Sequence, residues 1–310
     1  MKNQITIREA LTEHETALFW EQLYAYFARD IFPEPESEDR DHFLGSEYRA
    51  IVQKLHDREQ DKSRYLVFAR NGQDIGFALP VIYHSEDGKC FIMEFCVYPE
   101  QRGQGTGQAC AKALLDWAWE NGAQYAELNY GDDTRRAHFW QSVGFVPNGA
   151  DEWGESLMLL PPREPLPFTV ELLDKAGDWQ LLKLENGFRR EIGEEPLPEE
   201  QQEQLQQAIR EGQIRFFVAR RSGRVVGMCS VARCFSTFTC SDIAQFDDFY
   251  IEPVFRKQGL ARRLAQAAQS WCRENGISSL TVTCAPCDEA MYRSLGFAVQ
   301  LGTTLACLPH

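Results

Sequence analysis

Long apolar runs are missing from this chain of 310 residues. No stretch approaches the roughly 18 consecutive apolar residues that a membrane-spanning helix requires. The N-terminal segment "MKNQITIREA" also lacks the apolar centre of a signal peptide. We therefore expect a cytoplasmic protein that has no membrane partner.

Positive charge is scarce as well, with 32 Lys and Arg against 46 Asp and Glu and a formal net charge of −14. No basic run offers the stripe that nucleic-acid phosphates need, so a nucleic-acid partner is disfavoured. Two segments are strongly acidic, residues 30–41 ("DIFPEPESEDRD") and residues 191–200 ("EIGEEPLPEE"). Their carboxylates could attract a cationic substrate, although a solvated loop is the more common meaning of such a composition.

Pairs of metal ligands are rare in the sequence. Among the 10 cysteines, Cys284 and Cys287 ("CAPC") have the spacing of a zinc or redox pair, and no second pair at metal spacing accompanies them. In a cytoplasmic chain of this size, reduced and mostly buried thiols are the favoured interpretation. The sequence therefore predicts no metal site.

The chain contains the same succession of motifs twice. Four segments of the first half recur in the same order in the second half: "VFARNGQDIGF" (67–77) as "FVARRSGRVVGM" (217–228), "VYPEQRGQGTG" (97–107) as "IEPVFRKQGLA" (251–261), "WENGA" (119–123) as "RENGI" (273–277), and "FWQSVGF" (139–145) as "MYRSLGF" (291–297). Such an ordered repeat indicates a duplicated domain. The proline-rich segment 161–167 is a suitable linker between an N-terminal domain, 1–160, and a C-terminal domain, 168–310.

Each half predicts one order of secondary structure. An opening strand leads into helical sequence, a hairpin and a further strand, after which a glycine-rich turn opens a helix. Another strand, a short helix and a final strand complete each half. The pattern indicates a mixed α/β class.

The glycine-rich turns at 102–107 and 256–261 have the composition of an anion site. A strand, such a turn and a helix N-terminus together present N–H groups that have no partner inside the helix. Arg102 and Arg256 begin the two turns and add a charged donor. The predicted ligand is a phosphate or pyrophosphate. A P-loop would require Gly-Lys-Ser/Thr, which is absent, and a Rossmann fingerprint would follow the first strand.

The segments Arg-Gly-Gln-Gly-Thr-Gly (102–107) and Arg-Lys-Gln-Gly-Leu-Ala (256–261) resemble the Arg/Gln-x-x-Gly-x-Gly/Ala motif of the GNAT N-acetyltransferase superfamily. "AHFWQSVGF" and "AMYRSLGF" resemble its downstream segment, so the likeness covers essentially both halves. The resemblance implies an α/β (α+β) fold of two domains, each with a mixed, mostly antiparallel, twisted sheet flanked by helices. It also implies acetyl transfer directly from acetyl-CoA to a primary amine of a small molecule or peptide.

The resemblance further implies where acetyl-CoA binds. The family holds the pyrophosphate on backbone amides of this turn and separates the preceding strand from the next one to admit the pantetheine arm. The implied cofactor-binding residues are Arg102, Gly103, Gln104, Gly105, Thr106 and Gly107 in the first half, and Arg256, Lys257, Gln258, Gly259, Leu260 and Ala261 in the second. Val97 and Ile251 would direct strand amides at the pantetheine or the thioester carbonyl.

The transfer requires a base for the acceptor ammonium and an acid for the departing thiolate. Glu94 and Asp248 are the candidate bases because each lies five residues before the proline of its motif. The resemblance assigns the acid to Tyr292, four residues before Gly296. The first half has Trp140 at that position, whose indole N–H is not a usable acid. We therefore favour the C-terminal half as catalytic and the N-terminal half as CoA-binding or degenerate.

Three alternatives stay open at this point, one of which is a tandem thiol-cofactor synthase, although no residue points to its particular substrate. The chain could be a non-catalytic acyl-CoA-binding or interaction protein, for which Trp140 would be a sign of lost activity. It could also transfer an aminoacyl group from tRNA, against which the net charge of −14 argues. The oligomeric state is open.

Overall fold

The computed structural model describes residues 4–36, 39–131, 133–151, 153–162, 167–173 and 177–302. The chain divides into two compact units, Met1–Asn148 with Glu155–Pro165, and Gly149–Gly154 with Leu166–His310. Of the predicted linker, residues 163–166 lie outside the described part. Within the described residues, no helix combines the length and the apolar character that crossing a bilayer demands.

The first unit is built on a seven-stranded sheet. Its strands are β1 (Thr6–Glu9), β2 (Leu66–Arg70), β3 (Gln73–Ile82), β4 (Lys89–Val97), β5 (Tyr125–Asn129), β6 (Val146–Ala150) and β7 (Ser156–Leu160). Its helices are α1 (Glu13–Tyr26), α2 (Arg40–Leu44), α3 (Ser46–His56), α4 (Thr106–Glu120) and α5 (Thr134–Val143). The strand order is β1-β2-β3-β4-β5-β7-β6. Strands β4 and β5 are parallel, whereas β1 to β4 pair in antiparallel fashion, as do β5 and β7.

The second unit repeats this plan with five strands in the described residues. They are β8 (Thr169–Leu172), β9 (Ile214–Arg221), β10 (Arg224–Ser236), β11 (Ser241–Ile251) and β12 (Leu280–Val282), in the order β12-β11-β10-β9-β8. The helices are α6 (Trp179–Glu191), α7 (Glu199–Glu211), α8 (Leu260–Glu274) and α9 (Glu289–Ser294). Only β11 and β12 are parallel among the described pairings. No strand follows α9 as far as residue 302, and residues 303–310 lie outside the described part.

Helices cover both faces of each sheet because successive strand residues point to opposite sides. In the first unit Phe68 belongs to the core beneath α4, whereas its neighbour Val67 belongs to the aromatic core beneath α1 and α3. The second unit packs Leu181 and Leu184 of α6 against Met228 and other apolar residues of its sheet. The predicted mixed, mostly antiparallel α/β class is therefore confirmed.

Glycines fix both ends of the helix that follows each turn. Gly105 and Gly259 precede α4 and α8 with φ of 76° and 82°, and Gly122 and Gly276 follow them with φ of 87° and 67°. Residues with a side chain rarely adopt this left-handed backbone conformation, so these glycines allow the chain to turn sharply at the start and at the end of each helix. Each helix is thereby held at the end of the strand that comes before it.

Candidate active site

The strand before each glycine-rich turn separates from its parallel neighbour. Residues Lys89–Phe91 of β4 pair with Tyr125–Glu127 of β5, and the rest of β4 has no strand partner on this side within the described residues. Strand β11 likewise pairs with β12 only over Ala244–Phe246 and then continues to Ile251. Each unit therefore has a cleft, named here the strand cleft, along the last part of β4 or β11.

In the first unit, Val97 directs its backbone groups into the strand cleft. Val97 lies opposite Gly76 of β3, and the amide of the next residue, Tyr98, donates to the carbonyl of Ile75 (2.9 Å). Hydrogen-bonded and non-hydrogen-bonded pairs alternate along an antiparallel ladder. Since Tyr98 belongs to a bonded pair, Val97 does not, and its N–H and C=O point away from β3.

The second unit has the same geometry at Ile251. This residue lies opposite Gly227 of β10, and the amide of Glu252 donates to the carbonyl of Val226 (2.9 Å). The N–H and C=O of Ile251 consequently face the strand cleft. The two strand amides implied by the resemblance therefore face the strand clefts, and their contact with a pantetheine arm stays a prediction.

The arginine that begins each turn donates to the carbonyl that the strand cleft leaves unpaired. Arg102 Nε is 2.8 Å from the carbonyl oxygen of Val97, and Arg256 Nε is 2.9 Å from that of Ile251. A carbonyl without a partner is costly to bury, so this bond stabilises the separated strand end. It also leaves the N–H of the same residue available for a ligand.

The other end of each guanidinium contacts a carboxylate near the end of the first helix of its unit. Arg102 forms an ion pair with Asp30, and Arg256 forms one with Glu191. Asp30 and Glu191 are the first residues of the two acidic segments noted in the sequence. The sequence did not predict that they pair with the two arginines. The guanidinium groups are therefore engaged by protein atoms, and a phosphate contact for them stays a prediction.

The turn of the first unit presents a row of unpaired amides. Gly103, Gln104 and Gly105 all have positive φ, of 87°, 49° and 76°. Their N–H groups, and that of Gly107, donate to no residue in the described part of the chain. Consecutive amides in such a conformation form a concave anion site.

Thr106 departs from the expectation for this turn. Its amide donates to the carbonyl of Gly103 (3.0 Å), so it closes the turn instead of remaining available for a phosphate. The reason is the left-handed backbone of Gln104 and Gly105, which folds the chain back onto Gly103. The Thr106 amide is therefore not among the unpaired N–H groups of this turn, and a contact of Thr106 with the cofactor stays a prediction.

The turn of the second unit has five unpaired amides. Among the described residues none accepts from the N–H groups of Lys257, Gln258, Gly259, Leu260 and Ala261. The amide of Arg256 differs, since it donates to the carbonyl of Pro253 (3.3 Å). The N-terminus of α8 adds the positive end of its dipole to this site.

Glu94 lies in an aromatic environment on β4. The Tyr48 hydroxyl of α3 donates to its Oε1 (3.0 Å), and burial raises the pKa of Glu94 to about 8 even though this bond and the charge of Arg136 lower it. Burial and the Glu94 charge raise the pKa of Tyr26 well above its ordinary value. No motif in the sequence pointed to the two tyrosines, because they come from helices far from Glu94 in the chain.

Asp248 lies at a bulge in β11. Tyr250 pairs with Met228 and Asp247 pairs with Ser230, so one residue more on β11 than on β10 fills the interval. Asp248 has a φ of 44°, and its Oδ2 accepts from the Ser230 hydroxyl (2.6 Å). Burial raises the pKa of Asp248, which moves this carboxyl towards the range of a general base.

Tyr292 of α9 packs beside the open part of β11. Its ring centroid is 6.1 Å from that of Phe249 and 6.4 Å from that of Phe246, the residue at which the pairing with β12 stops. Burial raises the pKa of Tyr292 to about 12, so its hydroxyl keeps the proton at neutral pH. Trp140, its counterpart in the first unit, is buried against Phe95 and Phe145 with centroids 5.1 Å apart in both cases.

The cysteines do not form a metal centre in the part of the chain that is described. The nine described cysteines are free, and no group of three or more His, Cys, Asp and Glu side chains there could hold an ion. Cys284 and Cys287 lie between β12 and α9, half-buried and exposed respectively. The polar groups found beside the strand clefts are backbone amides, carboxylates and hydroxyls.

Comparison with known proteins gives one match in each half of the chain. A model of the acetyltransferase (GNAT) family matches residues 20–145 and 179–297. No curated protein sequence matches significantly. Similar solved structures include an aminoglycoside acetyltransferase from an uncultured soil metagenomic sample, with 19% identity, 46% of this chain and 96% of that chain covered, and a TM-score of 0.41.

Two further solved structures are similar at the same level. Glucosamine-6-phosphate N-acetyltransferase from Arabidopsis thaliana is 15% identical, with 47% of this chain and 99% of that chain covered and a TM-score of 0.39. A predicted acetyltransferase from Clostridium acetobutylicum, determined with acetyl-CoA, is 14% identical, with 46% of this chain and 96% of that chain covered and a TM-score of 0.41.

Proposed function

We propose a function from one established premise, that the chain belongs to the acetyltransferase (GNAT) family and is therefore an acyltransferase. The proposed reaction moves an acetyl group directly from acetyl-CoA to a primary amine of a small molecule or peptide. The C-terminal unit performs the transfer, and the N-terminal unit binds CoA. The observation that carries the proposal is that unpaired turn amides, the amide of Ile251, Asp248 and Tyr292 all adjoin the open part of β11.

The donor set fits a pyrophosphate. Backbone N–H groups at a helix N-terminus bind phosphates without requiring a basic surface, which suits a chain with a net charge of −14. Lys257 adds a positive side chain within the turn itself. The N–H of Ile251 faces the strand cleft and is a donor of the kind that an amide-containing pantetheine arm or its thioester can bond.

The transfer then follows from the groups beside the strand cleft. Asp248 accepts a proton from the acceptor ammonium, and the neutral amine attacks the thioester carbonyl of acetyl-CoA. The developing oxyanion is stabilised by the N–H of Ile251. As the C–S bond breaks, Tyr292 donates its proton to the departing thiolate, and the second proton of the attacking nitrogen returns to the Tyr292 oxygen. The products are the neutral acetamide and CoA, and the proton on Asp248 passes to solvent.

The N-terminal unit lacks one of these groups. Trp140 belongs to an aromatic core and offers no hydroxyl, whereas the hydroxyl of Tyr48 belongs to the other core of the unit and is bonded to Glu94. Its turn nevertheless retains unpaired amides at Gly103, Gln104, Gly105 and Gly107. These features support CoA binding without transfer in this unit.

The two glycines that flank α8 provide a matched test. Gly259 and Gly276 both have positive φ, and at each of them the position that a Cβ would occupy has no atom within 4 Å. Gly259→Glu and Gly276→Glu therefore introduce the same backbone strain and the same charge, and only the first adds a carboxylate beside the turn amides. We expect Gly259→Glu to abolish thiol release from acetyl-CoA and to remove one CoA site in calorimetry, while Gly276→Glu retains both.

The N-terminal unit is tested by Gly105→Glu, which should remove the other CoA site and leave thiol release unchanged. The acceptors are a panel of polyamines, aminoglycosides, amino acids and peptides. CoA binding without turnover of any acceptor would favour the non-catalytic alternative. Loss of turnover in Gly105→Glu, with activity retained in Gly259→Glu, would assign the transfer to the N-terminal unit.

A further inference from the structure

Glu185 is a carboxylate on the sheet-facing side of α6. It lies four residues after Leu181 and three before Phe188, both of which pack in the core of the second unit, so helical spacing puts Glu185 on the same stripe. Its exposed fraction is 7%, and its Oε2 has no hydrogen-bond partner among the described residues. A buried carboxylate without a partner is unfavourable, so it requires either a proton or a cation.

The groups that face Glu185 are mainly negative. Burial is the main cause that raises the pKa of Glu185 to about 8; the charges of Asp248 and Asp247 of β11 raise it further, and Arg189 of its own helix acts in the opposite direction. The guanidinium of Arg189 is itself engaged, because its Nε donates to the carbonyl of Glu195 (2.6 Å) and it lies 3.8 Å from Glu194. The space between α6 and β11 therefore has more carboxylates than available cations.

Acetyl transfer to a simple amine accounts for only one of these carboxylates. Asp248, held by Ser230, is sufficient to accept the proton of the reacting ammonium. Glu185 is left buried with its Oε2 unpartnered, on the helix whose Leu181 and Leu184 pack in one core with Tyr250 of β11. The first unit shows the contrast, because there Glu94 is faced by the hydroxyl of Tyr48 and by the positive charge of Arg136.

We propose that the acceptor of the C-terminal unit is a small amine with at least two positive charges, and that Glu185 binds the ammonium group that does not react. This inference rests on the proposed function and specifies its substrate class. Acceptors whose second charged group is a carboxylate or a phosphate would be repelled by Glu185 and Asp247. A second ammonium group instead neutralises the buried carboxylate when the acceptor binds.

The test compares acceptors that differ in one charged group. The probes are linear α,ω-diamines of three, four and five carbons, each against the monoamine and the ω-amino acid of the same length, with thiol release from acetyl-CoA as the assay. For at least one length we expect kcat/KM for the diamine to exceed that for the monoamine by about tenfold or more, as a charge-assisted hydrogen bond would provide. The amino acid should be the poorest acceptor of the three.

The variant Glu185→Gln assigns this preference to one side chain. It should raise KM for the diamine about tenfold while leaving kcat and the monoamine nearly unchanged, because an amide of the same shape cannot neutralise an ammonium. The control is Glu211→Gln, which removes one charge from the exposed end of α7 in the same unit. CoA titration of both variants verifies that the unit is folded.

The possible outcomes separate this inference from the proposed function. Equal kcat/KM for diamines and monoamines in the wild type, or an equal effect of Glu185→Gln on both, would overturn the inference while acetyl transfer stands. A diamine preference that Glu185→Gln leaves unchanged would also overturn the assignment to Glu185. Absence of thiol release with every amine, with CoA still bound, would overturn the proposed function itself.

Discussion

Replacing Arg256 by glutamine distinguishes two roles for the arginine that begins the second turn. In the structure its Nε donates to the carbonyl of Ile251 (2.9 Å). Glutamine carries its Nε2 the same number of bonds from the backbone as the Nε of arginine, so Arg256→Gln keeps an N–H donor for that carbonyl and removes the charge. Arg256→Met removes both the donor and the charge.

The two roles predict different magnitudes. If the side chain serves the carbonyl, Arg256→Gln loses an exposed ion pair with Glu191, worth about 0–1 kcal/mol, and CoA affinity should stay within about threefold. Arg256→Met leaves the Ile251 carbonyl unpaired and should lower the free energy of unfolding by about 1–3 kcal/mol. If the guanidinium instead binds the pyrophosphate, both variants should weaken CoA binding by about 10- to 150-fold, since a charge-assisted hydrogen bond contributes about 1.5–3 kcal/mol.

The assay is CoA titration by calorimetry together with urea unfolding, for the wild type and both variants at low and high salt. The carbonyl role predicts a large effect of Arg256→Met on unfolding and a small effect of Arg256→Gln on affinity at either salt concentration. Arg102→Gln is the corresponding variant of the first unit, where the bond to Val97 is 2.8 Å. Affinity losses that are equal in the Gln and Met variants and that diminish at high salt would refute the reasoning.

Two further predictions concern buried charges. Arg224 and Glu252 form a buried pair with two bonds of 2.6 and 2.9 Å. Arg224→Met alone should therefore lower the free energy of unfolding by about 3–5 kcal/mol, and a second change, Glu252→Leu, should restore most of it. Urea titration of the single and double variants checks this, and equal stability of the two variants would contradict it. Burial raises the pKa of Glu94 from its ordinary 4.5 to about 8. Between these two values the folded chain holds a proton that the unfolded chain has released. The stability due to neutral Glu94 is therefore complete below pH 4.5 and is lost as the pH rises through 8. Glu94→Gln should therefore reduce the fall of the urea midpoint between pH 5 and pH 9, and a pH dependence identical to the wild type would be inconsistent with a half-buried neutral carboxyl.

The features that the sequence predicted well are those defined by residues close together in the chain. The turn at 102–107, the helix that it opens and the glycines at both ends of that helix follow from local spacing and backbone preference. The duplication supported this prediction, since the second turn occurs at the same place in the order of motifs of the second half. The mixed α/β class and the acetyltransferase (GNAT) family are confirmed on this basis.

The features that could not be predicted depend on contacts distant in sequence. The hydrogen bond between Tyr48 and Glu94 joins residues 46 positions apart, and no sequence pattern in α3 predicts that this helix packs against β4. Glu185 has the sequence context of an ordinary helical glutamate, and only the packing of α6 buries it. The positive φ of Asp248 arises from a mismatch in register with β10, which a single strand pattern does not reveal.

Comparing the two units distinguishes the groups that we propose bind acetyl-CoA from those that we propose bind the acceptor. The unpaired turn amides, the strand cleft and the arginine bond to the last strand carbonyl occur in both units, as a common ligand would require. The surroundings of the carboxylate on the strand differ, with the hydroxyl of Tyr48 in one unit and the carboxyl of Glu185 in the other. Since specificity depends on the groups that contact the variable partner, the two units are expected to recognise different acceptors, or only one of them to recognise any.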